Sequence, residues 1–412
     1  MIYVFFLISI LMLIFSLYIY KSKINPISLY CFVWMIVVAL YKSNLVYTYE
    51  LYPKTIIILI ITSIVFFIGS VIGIIISKYT FNPINLNEEF LEMQRRKLVQ
   101  VIMFISLILS LKIIPDFIVN FLRSGFTFSH INDLYKEQLY DSYESGLSID
   151  SLIYVVVVFA GYYLSRYGIK NYKVYFPIIL AIIDQLNSGA RGGFVMIVML
   201  FFAPFTCRIT KNFKINKKNI YLIIIMIMVF LFSTYIRNTD NYILEYSSVF
   251  LKNLPFSNVL YSIILYIIGG LGCLNIYLQN PILNDGGSIF FRVPLILLNK
   301  IGITSYDLTF RSYTYQVPFT SNVLTYIGEL FHDFGIYFFI PIFIMAILFS
   351  LYFNKSQENG SLVNVNLYSI FFVIFMLSWF VYIGRLAVLW YVLVFGTILS
   401  MYIEKSVRGK CK

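Results

Sequence analysis

Long uncharged apolar stretches constrain this chain more than any other feature. A helix needs about 20 apolar residues to cross the hydrocarbon core of a bilayer, and it satisfies its own backbone hydrogen bonds there. Stretches of 18 or more residues without a charged side chain occur at 1–20, 24–41, 55–77, 219–236, 336–353, 361–384 and 386–403. Apolar residues make up 60% of the chain and charged residues only 12%. The sequence therefore predicts an all-α polytopic integral membrane protein.

Weaker apolar runs bring the predicted total to about eleven transmembrane helices. These runs lie at 98–118, 151–166, 174–187 and 192–207. Residues 237–321 form a large loop on the outer face, in which 258–278 and 288–303 predict amphipathic or re-entrant helices. The same two runs could instead be two further spans, for a total of about thirteen. We expect all of these segments to form a single integral membrane domain over residues 1–412.

Basic residues predict the orientation of these spans. With the first span's N-terminus outside, most basic residues fall in cytoplasmic loops, as the positive-inside rule requires. The formal charge of +12 then follows from topology and needs no nucleic-acid partner. Arginine departs from this pattern, because six of the eleven arginines fall on the outer side: Arg123, Arg191, Arg237, Arg292, Arg311 and Arg385. Since arginine is preferred for bidentate recognition of phosphate or carboxylate, this pattern predicts an anionic ligand on the outer face.

Arg191 stands in an unusual position among these arginines. It belongs to Asn187-Ser188-Gly189-Ala190-Arg191-Gly192-Gly193, between the short apolar runs 174–186 and 194–207. A charge at such depth is costly and usually marks a substrate path or an ion pair, and glycines allow a ligand to approach the backbone closely. The sequence therefore predicts that Arg191 binds an anion. The alternative is a structural ion pair with Asp184.

A second group of ionisable residues precedes the apolar run 336–353. Glu329, His332 and Asp333 fall within five residues, and in a helix Glu329 and Asp333 would share a face. A carboxylate beside an imidazole is a competent general base, so all three are candidate catalytic residues. We favour His332 slightly, because an unperturbed imidazole titrates nearest neutral pH. The alternative is a polar helix start that caps the following span.

The remaining outer arginines are further candidates for the predicted site. Several motifs for metal or nucleotide binding are missing from the sequence. Arg292 lies within an apolar segment, Arg385 lies between two spans, and the alternative for Arg237 is a side chain that snorkels to the interface. Arg311 could simply be solvated. No C-x-x-C, H-E-x-x-H, P-loop or outer D-x-D motif occurs. We therefore predict no metal site and no cofactor.

The chain resembles bacterial O-antigen or capsule repeat-unit polymerases, the Wzy family. The resemblance rests partly on the Gly-Ala-Arg-Gly-Gly hairpin at 187–193 and on the long outer loop before the last three spans. It rests also on Asn322-Val323-Leu324-Thr325 followed by His332-Asp333-Phe334-Gly335 and an apolar helix. These features cover roughly the C-terminal half of the chain.

The resemblance implies a GT-C-like glycosyltransferase in the bacterial inner membrane, with its active site facing the periplasm. Such polymerases transfer the growing glycan from undecaprenyl diphosphate to the non-reducing end of a new lipid-linked repeat unit, without a nucleotide sugar. Donor and acceptor are then both lipid-linked oligosaccharides, and a chain-length regulator and a flippase are further expected partners. One alternative is an O-antigen ligase, which transfers the same donor to lipid A core. A flippase for lipid-linked oligosaccharides is an alternative of another class.

The implied mechanism assigns roles to the candidate residues. Arginines would stabilise the charge that develops on the departing diphosphate. We expect Arg191 and Arg292 to do this, with Arg237, Arg311 and Arg385 as second choices. The catalytic base is expected among His332, Asp333 and Glu329.

Overall fold

The computed structural model describes a chain that is helical almost throughout. The described residues are 1–80, 88–125, 148–168, 171–188, 191–207, 228, 231, 234, 246–282, 286–306 and 315–408. Their α-helices are α1 (Ile2–Tyr20), α2 (Pro26–Lys42), α3 (Pro53–Tyr79), α4 (Glu88–Arg123), α5 (Leu152–Tyr167), α6 (Phe176–Ser188), α7 (Arg191–Thr206), α8 (Val249–Lys252), α9 (Ser257–Tyr277), α10 (Arg292–Lys300), α11 (Tyr326–Phe334), α12 (Phe339–Asn359), α13 (Leu362–Met376), α14 (Ala387–Tyr391) and α15 (Thr397–Arg408). Two short antiparallel strands, β1 (Tyr315–Gln316) and β2 (Thr320–Ser321), pair Tyr315 with Ser321.

Seven helical segments within the described ranges are long and apolar enough to cross a membrane. They are α1, α3, α4, α9, α12, the segment Ile149–Tyr167 that contains α5, and Ala387–Arg408, which contains α14 and α15. The shorter apolar helices α2, α7 and α13 accompany them. The prediction of an all-α membrane protein is thus confirmed at the level of class. The predicted span 219–236 falls outside the described residues apart from three isolated positions.

The predicted outer loop 237–321 contains substantial helical structure. Its apolar run 258–278 forms α9, which has 21 residues and is one of the seven segments of spanning length. Within the run 288–303 lies α10, which has only nine residues. The apolar runs thus predicted both helices, although the first contains Gly269-Gly270-Leu271-Gly272 and the second contains Arg292 and Lys300.

The contacts within the chain divide it into two compact units. The first consists of Met1–Tyr79, Asn238–Leu351 and Ile374–Leu386. The second consists of Thr80–Arg237, Tyr352–Val373 and Ala387–Lys412.

Two glycines allow α3 to pack closely against α12 in the first unit. A Cβ atom added at Gly69 would lie 2.8 Å from the Phe343 carbonyl oxygen, and one added at Gly73 would lie 2.8 Å from the Ser350 Cβ atom. Small residues four positions apart let two helix backbones approach in this way. The Tyr20 hydroxyl from α1 lies 2.6 Å from the Ser350 hydroxyl and joins this contact.

We expect Gly73→Leu to destabilise the protein by about 1–3 kcal/mol, because overpacking of this close contact forces backbone shifts. The measurement is the apparent melting temperature of detergent-purified protein, with Ile68→Ala as the control. Ile68 lies on the same helix and is 47% exposed, so its truncation should have little effect. Equal melting temperatures for wild-type protein and Gly73→Leu would contradict the close packing.

An aromatic cluster at the centre of the first unit positions α11. The Tyr30 ring stacks on Phe66 with ring centroids 4.1 Å apart, and Phe375 meets Phe66 edge-on at 4.7 Å. Tyr326, the first residue of α11, packs edge-on against Phe375 at 5.9 Å and is fully buried. The Thr325 hydroxyl caps the first turn of α11. The packing of Tyr326 on Phe375 and the cap from Thr325 together fix where α11 begins.

The second unit is organised around α5, which is buried from Ile153 to Ser165. Elsewhere in this unit, the Glu404 carboxylate accepts the Leu362 backbone N–H at 2.6 Å and thereby caps α13. The Asn366 side chain donates to the Val392 carbonyl oxygen at 2.9 Å. Val392 is the first residue of a π-helical turn, Val392–Gly396, so Asn366 satisfies a carbonyl oxygen of that turn.

Candidate functional site

The predicted cluster of Glu329, His332 and Asp333 lies on α11 in the first unit. All three residues are buried, with at most 3% of their surface exposed. Ionisable side chains are rarely buried without partners. Each of the three has such partners, and each set of partners belongs to a different segment of the chain.

Glu329 binds the segment that follows α13. Its Oε2 atom accepts the Tyr382 backbone N–H at 2.7 Å, and its Oε1 atom accepts a hydrogen bond from the Arg385 guanidinium. The side chains of this ion pair are only 4% and 12% exposed. Burial raises the pKa of Glu329 to about 7, although the positive charge of Arg385 opposes the rise. The carboxyl group therefore titrates near neutral pH, as groups at functional sites often do.

Asp333 holds the segment that precedes α10. Its carboxylate accepts the backbone N–H groups of Ile289 at 2.9 Å and Phe290 at 2.6 Å. Burial raises the pKa of Asp333 to about 6, and these two hydrogen bonds oppose the rise. Arg292 follows directly as the first residue of α10, and its charge acts on Glu329 to lower the pKa of that group. Asp333 thus holds the segment that leads into α10, whose first residue is Arg292.

His332 is anchored at the end of α9. Its Nδ1 atom is hydrogen-bonded to the Ile282 carbonyl oxygen, which also accepts the Tyr277 hydroxyl at 2.7 Å. A bond to a carbonyl oxygen requires the proton on Nδ1, so Nε2 is the basic nitrogen of the neutral ring. Tyr277 is the last residue of α9, so the imidazole is held beside the end of a helix of spanning length.

Aromatic contacts join the segments that the two carboxylates hold. The Phe290 ring stacks on Tyr382 with centroids 5.1 Å apart and an interplanar angle of 9°. Phe334, next to Asp333, meets the same Phe290 ring edge-on at 5.6 Å. These rings exclude water from the cluster, which strengthens the electrostatic interactions within it.

The cluster combines two cationic side chains, two carboxyl groups and one imidazole. Arg385 and Arg292 can bind an anion, and His332 can accept a proton at Nε2. The carboxyl groups of Glu329 and Asp333 are engaged by donors and orient the residues around them. The described ranges contain no group of three histidine, cysteine or acidic residues arranged to hold a metal ion.

The structure pairs Arg385 with Glu329, and the charge of Arg292 also acts on Glu329, but three other predicted arginines lie beyond the described residues. Arg237, Arg311 and the side chain of Arg191 fall outside the described residues, so their predicted roles stay predictions. Sequence reasoning missed the partners Tyr277 and Tyr382. In the sequence, each of these residues differs from its neighbours only in being a tyrosine near the end of an apolar run.

The hairpin around Arg191 belongs to the second unit. Its helices α6 and α7 match the predicted runs 174–187 and 192–207, and α7 begins at Arg191. The Gln185 side chain donates to the Tyr154 hydroxyl at 3.0 Å and to the Asp184 carboxylate at 2.9 Å. It also occupies the space that a side chain at Gly193 would need. Gly193 therefore leaves room for the Gln185 side chain, and this packing role does not require a bound ligand.

Comparison with known proteins leaves the chain without an assigned family. No family model matches it, and neither do the curated proteins or the solved structures. The chemistry of the α11 cluster and the membrane character of the chain are therefore the features that bear on function.

Proposed function

We propose that this protein polymerises oligosaccharide repeat units that are carried on undecaprenyl diphosphate. In this proposal it is a multi-pass, GT-C-like glycosyltransferase of the bacterial inner membrane, with the α11 cluster facing the periplasm. The observation that carries the proposal is the ion pair of Arg385 with Glu329 on α11, the helix that also carries the buried His332, in an all-α membrane protein. The charge of Arg292 also acts on Glu329. A lipid diphosphate donor needs cations for its leaving group, and a hydroxyl acceptor needs a base.

The proposed reaction is a displacement at the anomeric carbon of the donor glycan. The acceptor hydroxyl attacks this carbon, and the bond to the lipid diphosphate oxygen breaks. His332 Nε2 takes the hydroxyl proton, and the arginines stabilise the negative charge that passes to the diphosphate. The loss of one such preorganised donor typically costs about 3 kcal/mol of transition-state stabilisation.

The contacts of the carboxyl groups favour His332 as the base over Glu329 and Asp333. Glu329 accepts hydrogen bonds through both oxygens, and Asp333 accepts two backbone N–H groups. These hydrogen bonds fix the position of each carboxyl group and stabilise its charged form, so they oppose the rise in pKa that burial causes. We therefore assign Glu329 to the positioning of Arg385, and Asp333 to the positioning of the start of α10.

We expect a deletion of this gene in its host to leave single repeat units where the wild-type strain shows a ladder of chain lengths. The reason is that a lost polymerase spares the synthesis, export and ligation of one unit. The measurement is electrophoretic profiling of the surface glycan, with plasmid complementation as the control. A complete absence of repeat units on lipid A would contradict a polymerase and indicate the ligase or flippase alternative.

Purified protein provides the biochemical counterpart of this experiment. Reconstituted in lipid nanodiscs, it should extend lipid-linked repeat units from the deletion strain when no nucleotide sugar is added. Heat-denatured protein is the control. Product that forms only after addition of lipid A core would identify a ligase.

A further inference from the structure

The first unit contains a cavity that shares no lining residue with the α11 cluster. Its volume is about 710 Å³, which falls within the roughly 300–1,000 Å³ typical of small-molecule sites. The lining comes from the end of α2 and the following residues up to Glu50, and from residues 246–248. Three tyrosines line it, Tyr47, Tyr49 and Tyr246. We call this cavity the tyrosine pocket.

The backbone of the tyrosine pocket is held in place by cross-chain hydrogen bonds. Val46 and Ser247 form an antiparallel β-bridge. Next to it, the Tyr47 N–H donates to the Tyr246 carbonyl oxygen at 2.7 Å. The two walls are therefore fixed relative to each other before any ligand binds, which lowers the entropic cost of binding.

The side chains of the tyrosine pocket suit a neutral, hydroxyl-rich ligand. Tyr47 and Tyr49 are 62% and 40% exposed, and their rings meet edge-on with centroids 6.4 Å apart. A tyrosine offers an apolar face together with a polar hydroxyl, which matches the two kinds of surface on a sugar ring. One lysine, Lys42, and one glutamate, Glu50, balance each other in the lining. This neutrality disfavours an anionic lipid headgroup.

The tyrosine pocket and the candidate base lie at the same end of α9. Asn275 donates to the Glu50 carbonyl oxygen at 2.9 Å, and it accepts the Tyr52 backbone N–H at 2.8 Å. Two residues further along the same helix, Tyr277 contacts His332. The end of one helix therefore anchors both the wall of the pocket and the imidazole.

We propose that the tyrosine pocket binds sugar residues of an oligosaccharide substrate. That this oligosaccharide is the lipid-linked repeat unit rests on the proposed function. The preference for a neutral saccharide rests on the pocket itself, through its tyrosine faces, its hydroxyl groups and its balanced charge.

The test measures binding of a free oligosaccharide to the full-length protein in detergent. The probe is the repeat-unit oligosaccharide that mild acid releases from the lipid-linked units of the deletion strain, and its binding is followed by saturation-transfer NMR and titration. We expect Tyr47→Ala and Tyr49→Ala each to weaken binding roughly tenfold, which is the usual scale for loss of one aromatic contact. Tyr52→Ala is the matched control, because Tyr52 is 43% exposed but does not line the pocket.

Glycerophosphoglycerol, a soluble anionic phospholipid headgroup, serves as the competing probe. The inference is overturned if both tyrosine variants bind the oligosaccharide as tightly as wild-type protein. It is also overturned if the headgroup displaces the oligosaccharide and the same tyrosine variants lose headgroup binding. Because free oligosaccharide can bind without being polymerised, tyrosine-dependent binding by a protein that makes no polymer would refute only the proposed function. Normal polymerisation by both variants with unchanged KM would refute only the pocket.

Discussion

We expect His332→Asn to remain folded while chain extension slows by about 10²–10⁴, the usual effect of removing a general base. Asparagine places an amide N–H close to the position of imidazole Nδ1, so the hydrogen bond to the Ile282 carbonyl oxygen can persist. It provides no basic nitrogen at the position of Nε2. The rate of extension of lipid-linked repeat units in nanodiscs is the measurement.

Two further variants separate the loss of the base from the loss of the hydrogen bond between His332 and the Ile282 carbonyl oxygen. His332→Ala removes both the base and the bond to Ile282, so it should lower the melting temperature as well as the rate. Tyr277→Phe removes only the hydroxyl that shares the Ile282 carbonyl oxygen, and it should retain most of the activity. A wild-type rate for His332→Asn would exclude His332 Nε2 as the base and return that role to the carboxyl groups.

The helices could be predicted from the sequence because their signal is local. Continuous apolar runs predicted α1, α3, α9 and α12 without knowledge of the tertiary contacts. The same holds for the grouping of Glu329, His332 and Asp333, since neighbours on one helical turn stay neighbours in the fold.

The partners of these residues could not be predicted, because tertiary packing selects them. Glu329 and Arg385 are 56 residues apart in sequence, and no periodicity relates them. From the sequence alone, Glu329 is a candidate base and Arg385 a candidate for diphosphate binding, whereas the structure pairs them directly. The hydrogen bonds from Ile289 and Phe290 to Asp333 could not be predicted from the sequence either. Any segment with two free backbone N–H groups could have donated to this carboxylate.

We expect Glu329→Leu to destabilise the protein by about 3–5 kcal/mol, because removal of one partner leaves a buried charge uncompensated. The remaining charge is that of Arg385, whose side chain is only 12% exposed. The Tyr382 N–H also loses its acceptor, which costs about 1–3 kcal/mol more when the donor stays buried. The measurements are the yield of folded protein and its melting temperature.

Arg385→Lys tests catalysis apart from this structural role. It retains a positive charge for Glu329, so the protein should fold, but a lysine lacks the planar fork that binds a diphosphate through two parallel hydrogen bonds. We therefore expect near-normal stability and a rate lowered by about 10²–10³, the range found on loss of one preorganised donor. Wild-type turnover by Arg385→Lys would show that Arg385 serves only to pair with Glu329.

The pH dependence of stability gives an independent check on Glu329. Burial raises the pKa of this group in the folded protein to about 7 from its ordinary value of 4.5, so the folded state holds the proton more tightly than the unfolded state does. The resulting stabilisation is complete below pH 4.5 and is lost as the pH rises through about 7. Glu329→Gln cannot ionise, so the fall in its melting temperature between about pH 5 and 8 should be smaller than that of wild-type protein. Parallel curves for the two proteins would mean that Glu329 stays ionised throughout this range, with Arg385 outweighing burial.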